Sequence, residues 1–446
     1  MQLRHLTFFG TFDKAILRIA LPAIVSNITV PLLGLVDTAI VGHLGSSVYI
    51  GAIAVGGMIF SVVYWLFGFL RAGTSGFASQ ALGAGCRGNV AVALYRSAFF
   101  ALSISSLILL LQHPVGELAF YLVNASPEVE AAARTYFNIC IWGAPAVILL
   151  YAFNGWFIGL QSTTVTMTVA LVQNVANIAA SLFFVYVLGM QVAGVALGTV
   201  LAQYVGLAVA IALWLKKFAF YRHVDSSASI FDGRELLAFL RVNRDIFLRT
   251  LCILSVTSFF TAAGARQGDL VLAANTVLLQ FFYLFSYFMD GFSNAGEALA
   301  GHYTGAHDVK SFRATVSCLF KWGMIVAIAF TIAYAIFGDS LLSLLTNNGE
   351  VLARAHSYSL WMAVIPCAGF AAFLWDGIFI GITSTGRLFL SMLLATILFF
   401  LSYATLFPLI DNHGLWIAFC LFLLGRGLLQ TVLFPAAVAK KIAPFR

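Results

Sequence analysis

Long apolar stretches, separated by short polar ones, recur along the whole chain. Each stretch holds about 20 residues or more, enough for a helix to cross a hydrocarbon core of roughly 30 Å. The pattern predicts twelve membrane helices, at about 14–43, 49–72, 90–114, 130–156, 162–188, 192–216, 243–266, 270–300, 312–338, 354–382, 387–409 and 413–438. The expected fold class is therefore an all-α membrane protein.

The second half of the chain repeats the first at an offset of about 222 residues. Phe153–Thr163 reads FNGWFIGLQST and Trp375–Thr385 reads WDGIFIGITST, while Tyr136 meets Tyr358 in the same register. Because six helices bring the chain back to the side where it started, the two six-helix lobes are predicted to be related by a pseudo-two-fold axis along the membrane normal. Such a duplication is typical of transporters.

Composition excludes several other classes of protein. Of the 446 residues, 61% are hydrophobic and 9% are charged, against roughly a quarter charged in a soluble domain. The six cysteines are scattered singly, and no HExxH, GxSxG or clustered His/Asp set occurs. We expect no catalytic residues, no bound metal and no cofactor, so a membrane enzyme is disfavoured. The absence of charged rings also disfavours a channel.

The basic residues fall mainly on one side of the predicted membrane helices, and their distribution predicts topology rather than nucleic-acid binding. On this side lie Arg4, Lys14, Arg18, Arg87, Arg96, Lys216, Lys217, Arg222, Arg234, Arg241, Arg244, Lys310, Arg313, Arg387, Lys440, Lys441 and Arg446. By the positive-inside rule, both termini are cytoplasmic in a bacterial inner membrane. The predicted lobes are residues 1–218 and 243–446, joined by a cytoplasmic linker at 219–242.

Asp37 is the first candidate for ion coupling. It lies nine residues from the predicted turn between the first two helices, or about 13 Å deep, whereas Arg71 lies roughly 38 Å from that turn and cannot reach it. An acidic group buried without a countercharge favours its neutral form and suits a proton carrier. The alternative is a permanently neutral acid that is hydrogen-bonded to the backbone or to Asn27, Asn174 or Asn177.

The helix that carries Asp37 also holds Pro22, Pro31 and Gly34. Each proline removes a backbone hydrogen bond, and the glycine adds conformational freedom. One hypothesis is that protonation of Asp37 selects between bent and straight forms of this helix. A static kink that serves only packing remains the alternative.

A polar stripe on the fifth predicted helix contains Asn174, Asn177 and Ser181, which share one helical face. Together with Asn27 it forms the predicted polar site of the first lobe. The stripe could hydrate the Asp37 carboxyl group, or it could join helices through hydrogen bonds.

The second lobe has its own candidates. Arg249 and Asp290 differ in predicted depth by some 6 Å, which an arginine can span, so they are predicted to form an ion pair. A transport role for Asp290 stays open. Asp376, which occupies the repeat position of Asn154, is expected to pair less well with Arg426.

A resemblance to a known family rests on the first helix. Val36–Gly45 reads VDTAIVGHLG, which resembles the motif of the multidrug and toxic compound extrusion (MATE) family. The combination of SNITVPLLGLVDTA with WDGIFIGITS is similar to the DinF branch. The resemblance implies proton- or sodium-driven export of amphipathic, often cationic compounds through a cavity between two lobes.

The resemblance also implies roles for single residues. The coupling carboxylate of the family carries over to Asp37, its bending proline to Pro22, and its asparagines to Asn174 and Asn177. The chain departs from the family pattern at Ser181, where many relatives have a second aspartate.

These observations lead to one expected function and two alternatives. The expected function is multidrug efflux by a monomer among membrane lipids, coupled to H⁺, with bending near Pro22 releasing cargo. The first alternative is Na⁺ coupling through the carboxylates of the second lobe, Asp290 and Asp376. The second is a lipid or lipid-linked-sugar flippase, which would need a cationic cavity for phosphate.

Overall fold

A computed structural model describes residues 10–43, 46–123, 126–222 and 229–441. Within these ranges the chain is almost entirely helical and contains no strand. The predictions that concern Arg4, residues 44–45 of the first-helix motif, residues 223–228 of the linker, and Arg446 lie outside the described residues.

Fourteen helices follow one another in the described chain. Those of the first half are α1 (Thr11–Gly42), α2 (Ser47–Leu66), α3 (Phe69–Gly83), α4 (Arg87–Leu110), α5 (Gln112–Val123), α6 (Pro127–Cys140), α7 (Ala144–Gly159), α8 (Thr163–Leu182) and α9 (Gln191–Lys217). Those of the second half are α10 (Gly233–Ala265), α11 (Asp269–Gly305), α12 (Val309–Leu345), α13 (Gly349–Gly381) and α14 (Thr385–Lys441). A π-helical turn, Phe183–Val187, extends α8.

Eleven helical stretches of the described chain are long and apolar enough to cross a membrane. The last of them, Thr385–Ala439, contains non-helical backbone at Ile410 and Asp411. This break separates the two spans predicted at 387–409 and 413–438. The twelve predicted spans and the all-α fold class are therefore confirmed.

Helix ends differ from the prediction where amphipathic turns extend the apolar segments. The second predicted span, 49–72, continues through α2 and α3 to Gly83. The helix α5 was not predicted at all, because its twelve residues include Gln112, His113 and Glu117 and are too few to cross a bilayer.

Contacts between Cα atoms divide the chain into two compact units. One unit comprises Val25–Phe239, and the other comprises Leu240–Arg446 together with Met1–Ile24. The residues of α1 up to Ile24 therefore pack in the second unit, and those from Val25 onward pack in the first. The lobes predicted at 1–218 and 243–446 were drawn along the chain rather than from contacts in space, and they stay a prediction.

The internal repeat extends to helix packing inside each unit. A Cβ atom added to Gly155 on α7 would lie 2.1 Å from the carbonyl oxygen of Arg71 on α3. A Cβ atom added to Gly377 on α13 would lie 2.1 Å from the carbonyl oxygen of Ser293 on α11. Both pairs are related by the same offset of about 222 residues. Glycine is needed at both places because the backbones touch.

Substitution of either glycine by alanine is expected to destabilise its unit. The added methyl group would overlap a backbone atom that cannot move alone, so Gly155→Ala and Gly377→Ala should each lower the free energy of unfolding by about 3 kcal/mol. Thermal unfolding of the detergent-purified protein measures the effect. Gly57→Ala is the matched control, since no atom of the described chain lies within 4 Å of its added Cβ. Equal midpoints for all three variants would contradict the prediction.

Candidate functional site

Asp37 lies on the inward face of α1, near the end of that helix. Its residue is 7% exposed, whereas its neighbours Leu35 and Thr38 are exposed. The hydroxyl of Thr38 donates to the carbonyl oxygen of Gly34 at 2.8 Å, so it does not serve the carboxyl group. Within the described residues, Asp37 forms no ion pair, and its Oδ1 atom has no hydrogen-bond partner.

Two buried side chains of α6 lie within electrostatic range of the Asp37 carboxyl group, Tyr136 and Cys140. The Tyr136 ring fits there because a Cβ atom at Gly56 would lie 2.4 Å from it. Tyr186 lies in the π-helical turn that extends α8. Its hydroxyl donates to the carbonyl oxygen of Ile40 at 3.1 Å. This contact ties the end of α8 to α1 one turn beyond Asp37.

The predicted polar stripe of α8 contacts α9 through Asn177. Asn177 Nδ2 donates to Thr199 Oγ1 at 3.1 Å, and the Oδ1 atom of Asn177 has no partner in the described chain. Ser181 is fully buried, and its Oγ atom has none there either. Asn177 therefore joins α8 to α9, and these two buried oxygens of the stripe have no partner in the described chain.

The two other asparagines of the predicted polar site lie elsewhere. Asn174 Nδ2 donates to the carbonyl oxygen of Thr29 at 3.5 Å, on α1, rather than to the Asp37 carboxyl group. Asn27 is half-buried on α1, ten residues before Asp37, which separates them by about 15 Å along the helix. Asn174 and Asn27 therefore lie away from the Asp37 carboxyl group.

The predicted bending residues all lie within an unbroken α1. The helix runs through Pro22, Pro31 and Gly34 from Thr11 to Gly42. Pro22 is half-buried, and Pro31 and Gly34 are exposed. Within the described residues, no atom lies within 4 Å of a Cβ added to Gly34, so their packing alone does not require glycine there.

The carboxylate of the second unit has a very different environment. Asp376 Oδ2 accepts from Arg249 and, at 2.6 Å, from Arg426, while its Oδ1 accepts from Gln430 at 2.7 Å. Asp376 is thus an acidic partner of Arg249, and the predicted pairing of Arg249 with Asp290 stays a prediction. Asp290 is exposed on α11. The expectation that Asp376 pairs less well with Arg426 is wrong.

Sequence reasoning missed Tyr136, Thr199 and Gln430 as parts of these sites. A signal existed for two of them. Tyr136 keeps its register with Tyr358 in the repeat, and Gln430 follows Arg426 by four residues, which places both on one helical face. Nothing in the sequence singled out Thr199, because the hydroxyl of a threonine in an apolar helix usually donates to a carbonyl oxygen of the same helix. The Thr199 hydroxyl indeed donates to the carbonyl oxygen of Val195.

Chemically, the surroundings of Asp37 offer acceptors rather than countercharges. The buried oxygens of the first unit that have no partner in the described chain include those of Asp37, Asn177 and Ser181, and such oxygens suit a proton or a hard cation. Over the same residues, no group of three or more His, Cys, Asp or Glu side chains could hold a metal ion.

Comparison with known proteins identifies the family. The sequence model named MatE matches residues 22–183 and 246–405, one stretch in each half. The chain belongs to this family. DNA damage-inducible protein F of Escherichia coli K12 is 37% identical over 432 residues, covering 96% of this chain and 93% of that protein. The multidrug resistance protein NorM of Aliivibrio fischeri is 22% identical over 365 residues, covering 79% and 77%.

Solved structures of MATE proteins share the fold. A MATE crystal structure in the bent conformation superposes with a TM-score of 0.85 at 20% identity, covering 97% of this chain and 96% of that one. The Vibrio cholerae MATE transporter VcmN in the bent form gives a TM-score of 0.86 at 17% identity, covering 98% and 99%. The expected MATE fold and DinF-like character are confirmed.

Membership decides the broad functional class. MatE proteins are transporters rather than enzymes, and they need no cofactor. Family membership, the apolar spans and the bacterial relatives together indicate a multi-pass protein of the inner membrane.

Proposed function

We propose that this protein exports amphipathic, often cationic compounds by antiport, with protons as the coupling ion and Asp37 as the residue that carries them. Relatives that are named multidrug resistance proteins support the efflux of drugs. We further propose that the protein works as a monomer with both termini in the cytoplasm, as the positive-inside rule favours.

A difference between the surroundings of two buried carboxyl groups supports Asp37 as the coupling residue. Asp376 is neutralised by Arg249 and Arg426, and an added cation would have to displace an arginine from it. Asp37 has no such partner among the described residues. A buried carboxylate without a countercharge is costly, so Asp37 gains most from binding a proton. Coupling through Asp37 is therefore favoured over sodium coupling through Asp376.

The bending hypothesis is supported by where α1 changes its packing partners. Its contacts pass from one unit to the other between Ile24 and Val25, two residues after Pro22. Pro22 leaves the helix without one backbone hydrogen bond close to that point, which lowers the cost of a bend there. We propose that protonation of Asp37 favours the bent helix and releases cargo outward.

Transport in proteoliposomes tests the coupling ion. We expect an imposed pH gradient to drive ethidium across the membrane, and an equal sodium gradient at uniform pH to leave it unmoved. A one-unit pH gradient supports about tenfold accumulation per proton. Movement driven only by sodium would contradict proton coupling. No ethidium movement under either gradient, with transfer of a fluorescent phospholipid instead, would favour the flippase.

A further inference from the structure

The first turn of α1 is fixed on α12 by a single carboxylate. Asp13 is 6% exposed, and its Oδ1 atom accepts from three side chains of α12: Cys318 at 3.1 Å, Trp322 at 2.8 Å, and Lys321. Its Oδ2 atom accepts from the backbone amide of Gly10 at 2.8 Å. Both oxygens of Asp13 therefore have partners, and one partner carries the opposite charge.

A second contact joins the same turn to α11. The ring of Phe12 meets the ring of Tyr303 edge-on, with centroids 6.2 Å apart. The residues of α1 up to Ile24 belong to the same compact unit as α11 and α12. Two helices of the second half of the chain thus hold the beginning of α1.

The internal repeat contains a counterpart of this anchor at the beginning of α10. Glu235 follows Asp13 by the offset of about 222 residues, and its carboxylate lies 3.4 Å from the guanidinium group of Arg96 on α4. The buried member of this pair is the base, since Arg96 is 2% exposed and also donates to the carbonyl oxygens of Ser229 and Ile230. In both halves, an acidic residue in the first turn of the first helix meets a helix of the other half.

Both anchored helices change compact unit after the anchor. The contacts of α1 leave the second unit after Ile24, and those of α10 leave the first unit after Phe239. Phe239 is 1% exposed and packs on Phe100 of α4 and Phe77 of α3, with centroids 5.4 and 5.5 Å apart. Each repeat therefore begins with a helix whose first turns are held by the other repeat.

We infer that Asp13 is a positioning residue for proton coupling, which fixes the beginning of α1 so that bending near Pro22 moves only the segment that carries Asp37. A helix that is free at its beginning can respond to a protonated carboxyl group by shifting as a whole. A helix that is fixed there must bend, and it bends where a proline has removed a backbone hydrogen bond. The inference rests on the proposed function and adds the fixed point that bending requires.

Hydrogen exchange of the detergent-purified protein, followed by mass spectrometry at one pH, tests the anchor itself. Asp13→Asn keeps the shape of the side chain and removes its charge, so the charge-assisted bond with Lys321 is lost. We expect the amides of residues 11–24 to exchange about tenfold faster in this variant. Lys14→Gln is the matched control, since it removes an exposed charge from the next position and should leave this exchange unchanged.

A second variant removes the same ion pair from its more exposed side. The side chain of Lys321 is 41% exposed, so Lys321→Gln should fold even if Asp13→Asn does not. It should speed exchange in residues 11–24 in the same direction. Exchange as slow as in the wild type in either folded variant would overturn the inference.

The effect on bending is tested with Asp37→Asn, because asparagine is neutral, as the protonated acid is. With the anchor intact, this substitution should change exchange in residues 25–42 and leave residues 11–24 as in the wild type. In the double variant with Asp13→Asn, the change relative to Asp13→Asn alone should extend to residues 11–24. A change that includes residues 11–24 while the anchor is intact, or no change anywhere in α1, would contradict the positioning role.

Ethidium export separates this inference from the proposed function. Asp13→Asn should lower the maximal rate of proton-driven export about tenfold and leave KM unchanged, because the contacts of ethidium and the Asp37 carboxyl group are untouched. If a pH gradient drives ethidium equally well in Asp13→Asn and the wild type, the inference fails and the function stands. If only sodium drives the wild type, proton coupling fails, while an effect of Asp37→Asn confined to residues 25–42 would still support the anchor.

Discussion

Asp37→Asn is expected to abolish proton-driven export while the protein stays folded. Asparagine has nearly the shape of aspartic acid but cannot exchange a proton, so accumulation under a one-unit pH gradient should fall from about tenfold per proton to none. Because the wild-type carboxyl group has no countercharge in the described chain, its replacement leaves no group unpaired. The free energy of unfolding should therefore be unchanged or slightly higher.

Ethidium accumulation in everted vesicles measures the expected loss of export. Thermal unfolding in detergent measures the expected retention of stability. Asp290→Asn is the matched control, since it removes a carboxyl group from the second unit by the same change. Unimpaired proton-driven export in Asp37→Asn would refute coupling at Asp37. If Asp290→Asn were then inactive, the coupling residue would be Asp290.

Asp376→Asn should have the opposite profile, with a large loss of stability. The substitution leaves the guanidinium groups of Arg249 and Arg426 without the carboxylate that both contact. Removal of one partner from a buried ion pair costs about 3–5 kcal/mol, because the remaining charge stays out of water. Asp37→Asn, the same chemical change at a site without a partner, should cost far less.

A second substitution can be used to assign the cause. In the double variant Asp376→Asn with Arg249→Gln, only one guanidinium group, that of Arg426, has lost the Asp376 carboxylate, so part of the lost stability should return. Unfolding midpoints of the wild type and of the two single and one double variants form a complete cycle. An Asp376→Asn variant as stable as the wild type would show that the arginines find other partners, and would remove the reason for treating Asp376 as structural.

Together the two aspartates show why burial alone does not identify a coupling residue. Both Asp37 and Asp376 are buried carboxyl groups in apolar helices. The number of arginines that face each one differs, and so does the expected effect of neutralisation. One substitution should remove transport and spare stability, and the other should remove stability first.

The sequence alone determined the twelve spans, the internal repeat and the resemblance to MATE proteins. These follow from properties that are linear along the chain: the length of apolar segments against the thickness of a bilayer, and the register of residues such as Tyr136 and Tyr358. The predicted helix bounds differ from the structure in two kinds of place. The helix α5 is too short and polar to be predicted as a membrane span, and the helix that continues to Gly83 extends beyond the length that a bilayer requires.

Only the tertiary structure decided which residues meet. Depth along a helix can be counted from the sequence, and it placed Arg249 near the level of Asp290. It says nothing about the direction in which a side chain points or which helix stands beside it. The packing of α10 against α13 and α14 brings Arg249 and Arg426 to Asp376, and the packing of α6 brings Tyr136 to the surroundings of Asp37. Partner choice depends on these lateral contacts, which are formed between segments far apart in the chain.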